Sequence, residues 1–527
     1  MSFSSCNPAH TFIDLATFSE QEGFIYGGPD AITLFVASVQ KANWFSYIPI
    51  TLRQNGVIDF GQKNVSASVN RSGDYVLHVW FRAQIPQVEI FDSSLAAGGA
   101  AVIFSSASVR WTRNLMHNLF ERISISFNEL IVEEFDNYWL DFNFQFRKRG
   151  SKRIGYRNMI GDIASMTTVA GPNVPLGTGG YFSVPFPFWF TEDSGIALPV
   201  AALPFNDVKI NYVFRRWEDL LVIFPGLAGT GGTRVATCAD IFVVGQQGQK
   251  PTLLDPQTNA HYAVVHNDER VKMGDAPRDI LITQIQATQA APFKDISTLT
   301  SFDLRLSHSI ILFCFSAQNV SLLSLASAAC GGEWSNYTTE PNYAGLDPIA
   351  FSTLVYENTC RVAQGSDYYS LILPDLLSEA IPDETGYHFW TYALLPWDPL
   401  KPSGSTNYSK LANVSISHNM SPAAQASCGI GTVGGLPQDQ NGDEITWPDA
   451  QGQPQPFKQV YRHILIAKNW NIARVAEFNG YNRRLPSSNT VINSIRKMGK
   501  QCYRLVSSVF KKTQEARYLV AGNSVYI

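Results

Sequence analysis

Nine residues, Arg110 to Asn118 (RWTRNLMHN), bring two guanidinium groups, an imidazole and two carboxamides into one short stretch. Such a set could hold an anion or move a proton, because histidine titrates near neutrality and arginine keeps its charge. The same residue types also suit a polar crossing between two strands. The alternation of Ile123, Ile125 and Phe127 just downstream favours that plainer reading. Glu133 and Glu134 are the other acidic candidates. Neighbours on a strand point to opposite faces, so these two cannot form a catalytic acid pair. The nine histidines contain no His-x-His pair. There is no Gly-x-Ser-x-Gly elbow, no Gly-Lys-Ser/Thr phosphate loop and no metalloprotease His-Glu motif. The sequence thus assigns no catalytic, cofactor-binding or metal-binding residue, and no enzyme is expected.

The elements that carry these residues read as β-structure. From Tyr181 to Phe214 an aromatic run broken by Pro185 and Pro187 crosses a polar turn, Thr191 to Gly195, and closes on alternating Val208, Ile210, Tyr212 and Phe214. Proline excludes a helix interior and a central strand, so the block reads as sheet edges, bulges and a corner. A first strand is expected where Ile32, Leu34 and Val36 alternate, and a hairpin around Arg71–Asp74, with Gly73 supplying dihedral freedom. Residues 226–259 and 421–455, rich in Gly and Gln, read as long loops. Residues 147–161 (RKRGSKRIGYRNMIG) read as a basic cluster near a loop, which is usually solvated. A neighbour's acidic face or nucleic acid would be its alternative partners. Its lack of interleaved aromatics and the chain's net charge of −4 argue against sequence-specific nucleic-acid binding.

At 527 residues the chain implies two or more domains. It is 45% hydrophobic and 12% aromatic but only 16% charged, against about 25% in average soluble proteins, which suits a subunit covered by partners. The seven cysteines are scattered, odd in number and lack Cys-x-x-Cys spacing, so they read as buried thiols of a reducing compartment. The start, MSFSSCNPAHTF, has no basic region followed by an apolar one, and no apolar run approaches the roughly 20 residues that span a bilayer. After Gly480 the text changes. Residues 481–527 hold nine Lys/Arg and one acid, Glu515, a net of +8 against −12 for the remainder. Val491, Ile495, Met498, Cys502, Leu505 and Val509 make an apolar stripe at helical spacing. Arg496, Lys497, Lys500, Arg504, Lys511 and Lys512 lie mostly off that stripe. Such a basic amphipathic helix suits the protein's own acidic body or a neighbouring subunit, another component of the same assembly, or an anionic lipid surface.

The block Tyr181–Phe214 resembles a signature of the major capsid proteins of nucleocytoplasmic large DNA viruses, in their iridovirus-like or marseillevirus-like form. The resemblance continues through FIDLAT, RSGDYVL, RWTRNLMHN, RIGYRNMIG, HYAVVHNDERVKMG, PRDILITQIQ, EWSNYTT, GLDPI, LVYEN, DYYSLILP and GSTNYSKLANVSIS. It covers roughly residues 12–480 in order and does not reach the basic extension. It implies an all-β double jelly roll of two consecutive eight-stranded antiparallel barrels. The expected division is an arm (1–23), a first jelly roll (24–266), a connection (267–275), a second jelly roll (276–480) and the basic C-terminal helical extension (481–527). It further implies homotrimeric, pseudo-hexameric capsomers tiling the icosahedral shell of a large double-stranded DNA virus, assembled in the host cytoplasm. The partners implied are further copies of the chain, minor capsid proteins and, through the extension, an internal viral membrane. The alternatives are a carbohydrate-binding or attachment β-sandwich and a minor capsid component.

Overall fold

The computed structural model describes residues 9–475, except 10, 38, 40, 93–103, 106, 204–205, 225–226, 229–235, 276–277, 324–330 and 449–452, together with 525–526. The chain divides into two units, Met1–Trp44 and Phe45–Ile527.

The first unit carries two short helices, Thr11–Ala16 and Glu20–Ile25. Ser19 caps the second helix. Its backbone N–H and hydroxyl both donate to Glu22, at 3.2 and 2.6 Å. The strand expected at Ile32, Leu34 and Val36 is absent, and all three side chains are exposed. A strand is held by its neighbours' hydrogen bonds, and this unit offers no other strand among its described residues.

The second unit contains two sandwiches. In the first, one sheet orders Phe45–Thr51, Leu254–Val265, Tyr75–Gln84 and Tyr181–Pro185 side by side. The facing sheet orders Arg53–Asn55, Val65–Ser68, Val208–Phe214, Phe120–Phe127 and Leu130–Phe135. In the second sandwich the corresponding sheets run Arg278–Ala287, Tyr461–Val475, Ser309–Asn319, His388–Thr391 and Thr300–Asp303, Val414–Met420, Ile349–Tyr356, Thr359–Gly365. All of these pairings are antiparallel, and one strand order serves both halves. In each, the first long strand lies beside the last, and a closing hairpin ends the facing sheet. Both hairpins turn through two residues with positive φ, Asn128-Glu129 and Glu357-Asn358, the mirror-image turn that matches strand twist.

The proline block behaves as its chemistry requires. Tyr181–Pro185 is an edge strand, three short 3-10 turns follow, and Val208–Phe214 re-enters centrally in the facing sheet. Its Val208, Ile210, Tyr212 and Phe214 are each at most 3% exposed. Three details differ from expectation. Gly73 has no left-handed φ. A Cβ there would come 2.8 Å from that of Tyr262, so glycine serves close approach of two chain segments. Residues 254–259 are sheet and not loop. RKRGSKRIGYRNMIG is largely a helix, Gly150–Ile160, that follows a helix of equal length, Asn137–Arg147. The period-2 alternation of Phe142, Phe144 and Phe146 imitates a strand and conceals the helix Asn137–Arg147. A third helix, Asn267–Asp275, joins the two sandwiches.

Candidate functional site: a buried joint between the sandwiches

The helix Asn137–Arg147 leaves the closing hairpin of the first sandwich. Asp136 caps it by accepting from the Trp139 N–H at 3.1 Å. Every residue from Asn137 to Phe146 is buried, the mark of a helix enclosed on all sides. Its apolar side chains reach the second sandwich. Phe142 meets Tyr337 and Tyr387, and Phe146 meets Phe389 with ring centroids 5.3 Å apart. The Arg462 guanidinium donates to the Tyr138 hydroxyl at 2.6 Å.

Asp141 is the hub on this helix. It accepts from Asn114 Nδ2 at 3.1 Å and Ser335 Oγ at 2.6 Å, and lies 2.7 Å from His117 Nδ1. A carboxylate only accepts, so His117 donates through Nδ1, while its Nε2 lies 2.9 Å from the Tyr156 hydroxyl. Burial, and then Asp141, push the Tyr156 hydroxyl well above its ordinary range, which keeps it a donor.

The rest of RWTRNLMHN crosses to the second sandwich in the same way. Arg110 pairs with buried Glu333, and the Thr112 hydroxyl donates to the same carboxylate at 3.1 Å. Arg113 reaches Asp162 at 3.3 Å and Glu384 at 2.5 Å. Asn118 donates to Ser335 at 2.9 Å. Arg215 donates to Asn137 Oδ1 at 2.9 Å and lies 3.8 Å above the Trp334 ring. Two basic residues of the Gly150–Ile160 helix are likewise spent here. Arg153 donates to the Ile381 carbonyl, and Arg157 pairs with Asp383 and Glu384 at 3.0 and 2.7 Å. The basic cluster is therefore only partly a solvated surface.

A second bridge joins Lys468 to Glu192 at 2.7 Å, with Arg147 at 3.0 Å from the same carboxylate. Burial alone would raise the Glu192 carboxyl. Lys468 and Arg147 overcome that and hold it below the usual carboxylate range. Removing one member of such a buried pair costs about 3–5 kcal/mol. The stretch that invited an active-site reading is thus a polar crossing whose side chains are engaged in fastening two sandwiches. Glu133 and Glu134 do face oppositely: Glu133 is 3% exposed and accepts from the Trp189 N–H, while Glu134 pairs with Arg122 at 3.4 Å on the surface.

Folding also brings together what spacing hid. His388, His418 and His463 meet around Phe315 and Phe302 inside the second sandwich, with His418 and His463 rings 4.9 Å apart. Burial lowers His463 to about 3, and burial followed by the neighbouring imidazoles lowers His418. Asp347 and Ser366 both approach His388 at the same nitrogen, Nε2, at 2.9 and 3.0 Å. A proton relay needs one partner on each ring nitrogen, so this trio is not a hydrolytic triad. Among the described residues no group of three or more His, Cys, Asp or Glu could hold a metal ion. Cysteine spacing misled as well. Cys314 is a buried thiol, but Cys360 is exposed and Cys238 is disulfide-bonded. Arg496, Lys497, Lys500, Arg504, Lys511 and Lys512 lie outside the described residues.

The model of the major capsid protein N-terminus matches residues 33–252, and that of the large eukaryotic DNA virus major capsid protein matches residues 269–479. The chain belongs to this capsid-protein family. The major capsid protein of Costelytra zealandica iridescent virus is 40% identical over 496 residues, spanning 90% of this chain and 98% of the relative. That of Tipula iridescent virus is 41% identical, spanning 90% and 97%. Among solved structures, the Faustovirus major capsid protein superposes with a TM-score of 0.60 at 12% identity, covering 85% of this chain and 93% of its own. VP54 of PBCV-1 gives 0.59 at 17%, covering 86% and 100%. The fold is the double jelly roll of these capsid proteins. This capsid chain is a structural protein and not an enzyme.

Proposed function

We propose that three copies of this chain form one capsomer of pseudo-hexagonal outline, and that such capsomers tile the flat facets of an icosahedral virion. The observation that carries this reading is one strand order repeated in two sandwiches that a buried joint holds at a fixed relation. Three such chains supply six near-equivalent barrels, which imitates six-fold symmetry. The stretches within 226–259 and 421–455 that lie outside the sheets would form outward towers or clamps between subunits. The division at 267–275 and assembly in the host cytoplasm belong to the same proposal.

Light scattering on the purified full chain tests it. Three times the monomer mass, stable without added metal or ligand, is the expected result. A monomer that stays monomeric when co-expressed with the virion's other capsid components would overturn it. Trimers lacking residues 229–235 but as heat-resistant as the full chain would remove the clamp role of that segment. For the basic extension we favour contact with the acidic body or a neighbouring copy. Minor capsid proteins and the internal membrane are its other partners, and tight binding of a 486–527 peptide to anionic vesicles at physiological salt would shift the assignment to the membrane.

A further inference from the structure

Away from the joint, a cleft of about 870 Å3 lies beside the first sandwich, lined by Tyr75–Gln84, Tyr181–Pro185 and the turn between the helices Asn137–Arg147 and Gly150–Ile160. Arg147, Lys148, Arg149 and Lys152 bring four positive charges to it, against two carboxylates, Glu192 and Glu379. Arg147 already engages both carboxylates, at 3.0 and 3.7 Å, and Lys468 also neutralises Glu192. Lys148, Arg149 and Lys152 have no ion-pair partner among the described residues. Lys148 is half-buried with its ammonium 5.3 Å from the Tyr156 ring centroid. Burial, and then the nearby Arg147 and Lys152, lower its pKa from the ordinary lysine value, and Glu379 offsets only part of that.

Two further features narrow the ligand. Asn143 lines the cleft at 8% exposure, and its Oδ1 has no hydrogen-bond partner. A buried acceptor of this kind would take a hydrogen bond from a ligand hydroxyl that reaches it. Trp80 is half-buried in the lining, with the His261 ring edge-on at 4.8 Å, an apolar wall suited to the C–H face of a sugar ring. Uncompensated cations call for an anion, the carboxamide for a hydroxyl, and the indole for a flat apolar face. A bare inorganic anion meets only the first of these demands. We propose that this cleft binds an anionic saccharide, with Lys148 and Lys152 pairing with its sulfate or carboxylate and Asn143 hydrogen-bonding a ring hydroxyl. The site adds a recognition function to a chain whose family role is to build the shell.

Calorimetric titration of the full-length assembled protein tests the proposal. The probes are a heparin tetrasaccharide, a hyaluronan tetrasaccharide carrying carboxylates alone, neutral maltotetraose and single-stranded DNA of charge equal to the heparin probe. At least one acidic sugar is expected to bind with a Kd below about 1 mM, and maltotetraose at least about ten-fold more weakly. The two acidic probes then decide between sulfate and carboxylate. The Lys148→Gln/Lys152→Gln double variant, with both side chains outside the core, is expected to melt as wild type and lose about ten-fold in affinity. Asn143→Leu is expected to weaken the sugar while leaving any binding of inorganic sulfate unchanged. Equal binding of maltotetraose, unchanged binding by the double variant, or equally tight binding of the DNA would each overturn it.

Discussion

The two sandwiches share a strand order and closing turns, yet their centres are filled by different chemistry. In the first, Phe120 gathers Phe81, Phe186, Tyr212 and Phe214 at centroid distances between 5.1 and 5.8 Å. In the second, Phe315 stacks on His388 and His418 at 5.0 and 5.2 Å, and Phe302 stacks on His463 at 4.3 Å. Aromatic packing is satisfied in both, but the second places three imidazoles among its rings. Toward the joint in the first half two acids, Glu133 and Asp136, are instead raised by burial to about 8 and about 6. One architecture thus carries opposite responses to pH in its two halves.

The largest effect should come from severing what the halves share. Asp141→Ala leaves Asn114, His117 and Ser335 without their acceptor, and a loss of about 3–5 kcal/mol is expected in denaturant melts. A loss under about 1 kcal/mol would show that the joint is not what couples the halves.

The pH responses sharpen the comparison. His463 is held neutral in the fold down to about 3, against 6.5 in the unfolded chain. His418 and His388 are the titratable rings near it, and Asp347 the carboxylate behind His388. The unfolded chain therefore binds the extra proton first, and stability falls as pH drops from 6.5 toward 3, by at most about 1.4 kcal/mol per pH unit for this group. Melts of His463→Leu across that range should show a flatter slope. Glu133 has the opposite sign. Burial, and to a smaller extent Glu192, keep its proton on to about 8, so stability falls as pH rises from 4.5 to 8. Glu133→Gln should remove that slope and leave the acid limb alone. Both variants losing the same limb would collapse the distinction between the halves.

The smallest effect is expected one residue further on. Glu134→Gln breaks only the exposed pair with Arg122, and a change within about 0.5 kcal/mol is expected by the same melts. A loss comparable to that of Glu133→Gln would mean that the strand faces are assigned the wrong way round.

Much of the fold was legible because sheets write a period of two. Val208, Ile210, Tyr212 and Phe214 alternate in the text and face inward in the structure. Pro185 predicted an edge, and an edge strand is found. The same rule failed at Ile32, Leu34 and Val36, where alternation exists with no neighbouring strand to answer it, and at Phe142, Phe144 and Phe146, which lie on a helix enclosed on every side. The joint was half legible. RWTRNLMHN stood out for its charge, but Glu333, Ser335 and Glu384 sit more than 200 residues away and carry no local signal of their pairing. The histidine cluster was hidden for the same reason, since its three rings come from three separate strands.

The joint also has a consequence for the order of events during synthesis. The Thr112 hydroxyl and the Glu333 carboxylate that accepts from it are separated by 221 residues. At ribosomal speeds of 5–20 residues per second, the acceptor emerges about 10–45 s after the donor. Through that interval the nascent first sandwich carries a helix meant to be buried on all sides, with one flank bare and its polar hub short of the Ser335 donor. Completion of the joint therefore waits for the second half to be made.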